Sequence, residues 1–291
     1  MSQHSTAETY YVPEGSVWPF LMTIALVAFV YGFANILNGH PGSGQVAFLI
    51  GLGGIIVMAF VWLRGVVNEA EGGKYNDQVD RTYRWSMAWF IFSEVMFFGA
   101  FFGALYYARV LSLPWLGGAG PELMTNEVLW QGFENVWPSN GPAGIGGDFQ
   151  TIPAWGVPFL NTLLLLTSGI TCTIAHHGLK DGNHAKATRW LAATVALGCA
   201  FLFFQAEEYI EAYQHLNLTL GSGIYGSTFF MLTGFHGMHV TLGTIMLFVI
   251  MCRTAKGHFT PDRHFGFEGV AWYWHFVDVV WVGLFIFVYI V

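Results

Sequence analysis

Long apolar runs, and not alternating patterns, organise this 291-residue chain. Seven can be marked: Val17–Leu37, Val46–Val67, Trp85–Val110, Trp155–His176, Thr188–Tyr213, Tyr225–Cys252 and Val270–Val291. About 20 such residues cross the roughly 30 Å of a bilayer core as a helix. In lipid every backbone N–H and C=O must be satisfied within its own segment, so runs of this length predict helices. The expected fold is all-α: a polytopic membrane protein with seven transmembrane helices. Glycines such as Gly51, Gly53 and Gly54 are expected to let helices approach closely.

Composition agrees with this pattern. The chain is 54% hydrophobic and only 10% charged, where a soluble domain carries about 25% charged residues. Twelve Trp and twelve Tyr suit interfacial aromatic belts. The net charge of −7 says little about partners, and no basic patch points to nucleic acid. Cys172, Cys199 and Cys252 each fall in an apolar run, form no CxxC pair and read as small core residues. The tail MSQHSTAETYYVPEGS lacks the basic region and cleavage site of a signal peptide, so the first helix is expected to be retained.

Charge orients the spans. Arg64, Lys74, Arg81 and Arg84 fall between the second and third, Lys180, Lys186 and Arg189 between the fourth and fifth, and Arg253, Lys256 and Arg263 between the sixth and seventh. All three connections lie on one side, and only Arg109 lies on the other. Ten of eleven basic residues mark that side as cytoplasmic, with the N-terminus inside and the C-terminus outside. The longest connection, Leu111–Pro153, then faces outward. It is rich in Gly and Pro and reads as a functional or partner-contact loop.

Few polar residues enter the spans. Glu94 lies nine residues past Trp85, roughly 13 Å along a helix rising 1.5 Å per residue. A carboxyl at that depth should face protein or water, paired or protonated. The sixth span carries His236 and His239 at i, i+3, and the seventh carries His275 and Asp278 at the same spacing. These five groups at similar depth could build a metal site or proton pathway. They could equally act as interhelical polar glue, which is the simpler reading. Glu207, Glu208 and Glu211 sit at the outer end of the fifth span and read as solvated charge. AHHGLKDGNHAKATR, with His176 and His177, reads as anchoring to anionic headgroups. No Walker loop, dinucleotide fingerprint, nucleophile elbow or HExxH is present.

The stretches FIFSEVMFFGAFF, FLNTLLLLTSG, AHHGLKDG, FQAEEYIEAY, GIYGSTFFMLTGFHGMHV and HFGFEGVAWYWHFVDVVW, in this order, resemble subunit III of the haem-copper cytochrome c oxidases. The resemblance runs from about Trp18 to the C-terminus, outside the long outer loop. It implies a non-catalytic core subunit of a proton-pumping oxidase that reduces oxygen to water. Haem and copper would sit in partner subunits, and this chain would hold no cofactor beyond bound phospholipids. It implies subunit I as main partner, with subunit II, small subunits and a larger respiratory assembly as further candidates. It implies a helix pair (residues 17–67) after a cytoplasmic tail (1–16), a cytoplasmic connection (68–84) and a five-helix bundle (85–291). Pair and bundle would be separated by a V-shaped, lipid-filled cleft. The implied role is to sustain proton uptake into subunit I and protect it from inactivation during turnover. Glu94 matches the family's buried, carbodiimide-reactive glutamate. Trp62, Arg64, Glu69 and Arg253 match positions near lipid headgroups, although Leu63 and Gly65 depart from the usual Trp pair and following Asp. Seven spans favour a cytochrome c oxidase over quinol-oxidase relatives, and the long outer loop favours a bacterial inner membrane. The alternative is a membrane metalloenzyme or proton pathway built on Glu94, His236, His239, His275 and Asp278.

Overall fold

The computed structural model describes residues 11–12, 15–120 and 123–290. Most of the N-terminal tail, assigned above to the cytoplasm, lies outside them. Among the described residues, seven helices are long and apolar enough to span a membrane. They are α1 (Trp18–Leu37), α2 (Pro41–Glu71), α3 (Asp77–Tyr106), α4 (Val157–Lys180), α5 (His184–Gln214), α6 (Gly223–Ala255) and α7 (Phe265–Leu284). α3 runs on through a π-helical turn, Tyr107–Ser112, to Leu116, and α7 through another, Phe285–Ile290.

The helix ends depart from the apolar boundaries for local reasons. Pro41 and Pro158 stand in the first turns of α2 and α4, where a missing N–H costs nothing. Asp77 and Asp80 complement the N-terminal dipole of α3, so that helix starts well before its apolar run. The Asn183 side chain accepts from Lys186 N (2.9 Å) and caps α5. The expected connection 68–84 is therefore mostly helical, with only residues 72–76 between α2 and α3. The outer loop likewise begins after Leu116, and Thr125–Leu129 forms a π-helical turn within it. It is held by its own contacts and by the α5–α6 connection: Asn126 Nδ2 donates to Leu116, Trp130 and Phe133 carbonyls, and Asn217 Nδ2, between α5 and α6, to those of Gly146 and Asp148.

The chain divides into two compact units, Met1–Tyr83 and Arg84–Val291, the division falling inside α3. In the first, α1 and α2 form a hairpin packed through small residues. A Cβ on Gly32 would fall on the backbone of Phe48, and one on Gly51 on that of Phe29. A Cβ on Gly54 would meet Ala25 Cβ at 3.0 Å. Gly53 meets nothing within 4 Å, so of the three glycines singled out it alone does not serve packing.

In the second unit α4, α5, α6 and α7 close a ring, each touching the next and α7 returning to α4. α3 lies against α6 and α7 through Phe97–Phe235 and Phe98–Phe276 ring contacts. Trp274 and Trp281 of α7 fill the ring, both fully buried. Each Nε1–H finds an acceptor on α4, Ser168 Oγ and Thr162 Oγ1 respectively, both at 2.9 Å. Cys172 is buried, but Cys199 is exposed, so it is not the core residue expected.

Candidate functional site

Glu94 of α3 and His239 of α6 meet at 2.9 Å, Oε2 to Nε2. The carboxyl keeps 20% of its side-chain exposure and the imidazole 7%. His239 Nδ1 lies 2.6 Å from Phe235 O, one turn back. A carbonyl only accepts, so Nδ1 carries a hydrogen. The remaining proton therefore lies between Nε2 and the carboxyl: either a neutral acid donating to imidazole, or an imidazolium donating to carboxylate. The pair is neutral overall in both forms. Tyr273 stacks on His239 (6.3 Å, 18°) and Phe98 meets it edge-on at 5.0 Å, which fixes the ring. An isolated charge is costly at this depth, and a shared proton removes that cost.

The other polar residues of the spans do not join this pair. His236 is fully buried and its Nε2 donates to Val277 O at 3.1 Å. It packs on Trp281 and Phe201 as interhelical structure. His275 Nδ1 lies 3.7 Å from Asp278 Oδ2, and its Nε2 lies 3.3 Å from Thr173 Oγ1. Gly169 makes room for Asp278, because a Cβ there would land on Oδ2. Among the described residues no three of Glu94, His236, His239, His275 and Asp278 bring ligand atoms within 4.8 Å of one another. The five-ligand metal site considered from sequence is therefore not assembled. Residues 236 and 239 share a helix, but one reaches toward α7 and the other toward α3.

The expected headgroup residues fall on both units. Trp62 and Arg64 are exposed on α2, and Glu69 accepts from Tyr75 Oη at 2.9 Å. Burial, with hydrogen bonds to Tyr83 and Glu69, pushes the Tyr75 phenol well above its ordinary range, so it stays a donor to Glu69. In the second unit Arg253, in the last turn of α6, lies over the Phe259 ring at 4.5 Å. An apolar cleft of about 550 Å³ opens between α3 and α7, lined by residues including Phe102, Tyr106, Arg109 and Phe287.

Two features escaped the sequence reading. Glu208 is buried, not solvated: Tyr289 Oη donates to its Oε1 at 2.5 Å and Gln205 Nε2 at 3.3 Å, while Glu207 and Glu211 are exposed as expected. The spacing Gln205, Glu208, Ala212 already marks one buried helical face. The second is a cluster at the basic end of the second unit. His176, read as headgroup anchoring, instead meets His264 and Glu268, and Glu268 pairs with Arg84. Its one local signal is the i, i+4 pair in HFGFE.

The sequence profile of cytochrome c oxidase subunit III matches residues 8–291, nearly the whole chain. The chain belongs to the cytochrome c oxidase subunit III family. Curated relatives agree over almost their full length. Cytochrome c oxidase subunit 3 of Marchantia polymorpha is 41% identical over 286 residues, covering 98% of this chain and 97% of the relative. That of Dugong dugon is 39% identical over 287 residues, 98% of each. That of Prototheca wickerhamii is 38% identical over 281 residues, 96% of each. Subunit III is thus a multi-pass membrane component of an oxidoreductase assembly. Within its spans, Glu94 and His239 form a hydrogen-bonded carboxyl–imidazole pair.

Proposed function

We propose that this chain is a non-catalytic core subunit of a proton-pumping cytochrome c oxidase in a bacterial inner membrane. In this reading it docks on subunit I, contacts subunit II and small subunits, and supports proton uptake and turnover stability. The observation that carries the reading is the Glu94–His239 pair. It holds one exchangeable proton at no net charge within the spans, which suits a group that tunes proton supply more than one that transfers a proton in every cycle. Phospholipid headgroups would contact Trp62, Arg64 and Glu69 on the first unit and Arg253 on the second. The cleft beside Phe102 and Phe287 has the apolar lining an acyl chain needs.

Removing the subunit is expected to leave oxygen reduction initially active, with slower proton uptake at high pH and activity that decays during turnover. Glu94→Gln keeps the shape of the carboxyl but cannot ionise. Loss of an obligatory proton-transfer group costs about 10²–10⁴-fold in rate. Steady-state oxygen uptake by the intact Glu94→Gln complex should fall by much less than that. A loss of about 100-fold or more would move Glu94 into the catalytic path and sink the supporting role. Native mass spectrometry of the same preparations should find the oxidase subunits and retained phospholipid, with less lipid after Arg253→Ala.

We also place the N-terminus in the cytoplasm and the C-terminus in the periplasm, on the ten-to-one asymmetry of basic residues. A reporter that folds only in the periplasm should be active when fused after residue 291. Activity of a cytoplasm-only reporter at that position would reverse the orientation.

A further inference from the structure

Three side chains close a small triangle at the basic end of the second unit. His176 stands in the last turns of α4, His264 is the N-cap residue of α7, and Glu268 lies in the first turn of α7. Their facing atoms are 3.1 Å apart from His176 Nε2 to His264 Nε2, 3.2 Å from His264 Nε2 to Glu268 Oε1, and 3.6 Å from His176 Nε2 to Glu268 Oε1. Nitrogen and oxygen ligands bound tetrahedrally at about 2.0–2.2 Å stand roughly 3.3–3.6 Å from one another. The triangle therefore has close to the edge lengths of one face of a metal tetrahedron.

The surrounding bonds fix which lone pairs point inward. His264 Nδ1 lies 3.1 Å from Thr260 O. The carbonyl can only accept, so Nδ1 carries the hydrogen, and Nε2 of the neutral ring offers its lone pair to the triangle. Glu268 Oε2 is taken by Arg84. That contact leaves Oε1 facing the two imidazoles. A single proton bonds one edge of the triangle well and leaves acceptors facing each other along another. A cation at its centre satisfies all three.

We propose that His176, His264 and Glu268 bind one divalent transition-metal ion, Zn²⁺ being the best fit to two imidazoles and a carboxylate. His264 and Glu268 are buried while the His176 side chain keeps 22% exposure, so the open side of the triangle is at His176, where water takes the fourth position. Bound there, the ion ties the end of α4 to the start of α7. Thr260 and Arg84 serve as the outer partners that orient the ligands. The ion has no redox role in this arrangement, and the proposal does not depend on the part Glu94 plays.

The test uses the full chain isolated with its partners in mild detergent, stripped with a chelator and dialysed against buffered free Zn²⁺. Wild type should hold one Zn²⁺ per chain more than His176→Gln or Glu268→Gln, and bind it at least about tenfold more tightly than either. His177→Gln, which changes the exposed neighbouring histidine, should match wild type. X-ray absorption of the wild-type complex should show imidazole in the zinc shell, and this readout stands even if a variant fails to assemble. Equal zinc content and affinity in wild type and both triangle variants, or a zinc shell without imidazole, overturns the site.

Discussion

Replacing Gly51 with leucine is expected to open the α1–α2 hairpin. A Cβ at Gly51 would land on the backbone N and Cα of Phe29, and one at Gly32 on the backbone of Phe48. These obstacles are main chain, so no change of rotamer relieves them and the helices must separate. Overpacking a core costs typically about 1–3 kcal/mol, and more where nothing can yield. Separation also forfeits dispersion contacts, which drive helix association where lipid is as apolar as leucine. A cost of about 3 kcal/mol shifts the closed–open equilibrium by more than about 100-fold. The packed state can be read with cysteines at Ala25 and Gly54, because a Cβ on Gly54 lies 3.0 Å from Ala25 Cβ. That pair should oxidise readily, and adding Gly51→Leu should abolish the crosslink. Gly53→Leu is the internal control, since Gly53 touches nothing within 4 Å. If Gly53→Leu and Gly51→Leu impaired the crosslink equally, the close backbone approach would be wrong.

The same glycines show how far the sequence could be read. Seven spans were legible because an apolar run of that length has one stable form in lipid. Their ends were not, because α2 and α3 continue through Asn68–Glu71 and Asp77–Arg84, where backbone hydrogen bonding outlasts hydrophobicity. Packing by small residues was legible as a tendency; that Gly51 and Gly54 pack while Gly53 does not depends on the rotation of α2 against α1. Depth placed Glu94 and His239 at comparable levels, but their meeting joins residues 145 apart and needs the bundle closed. The triangle of His176, His264 and Glu268 was hidden for the same reason: His176 joins it from 88 residues before His264. Glu208 is a different case. Proximity in the chain groups it with Glu207 and Glu211, but its helical register with Gln205 and Ala212 separates it from them.

Trp274→Ala is expected to be the most damaging single change in the second unit. The indole is fully buried, donates to Ser168 Oγ on α4 at 2.9 Å, and lies against two glycines. A Cβ on Gly198 of α5 would meet its Cη2 at 3.0 Å, and one on Gly243 of α6 its Cε3 at 2.8 Å. One side chain of α7 thus touches the other three helices of the ring, and the two glycines are the space it needs. Truncation leaves a void on the order of 100 Å³, worth roughly 2–3 kcal/mol at about 24 cal/mol per Å³. Loss of the Nε1–H leaves Ser168 Oγ bonded only to Leu165 O, one turn back. That adds about 0.5–1.5 kcal/mol. The total approaches the loss of a ring closure, not of one pairwise contact. Trp274→Phe keeps most of the volume and loses the hydrogen bond, so it should cost only about 1–2 kcal/mol. Thermal unfolding of the detergent-solubilised complex, followed by exposure of buried Cys172 to a thiol reagent, orders the two. Wild type should resist longest, Trp274→Phe should be intermediate and Trp274→Ala least resistant. A Trp274→Ala chain that protected Cys172 as well as Trp274→Phe does would mean that the ring closes without this side chain, and that the glycines at 198 and 243 serve some other contact.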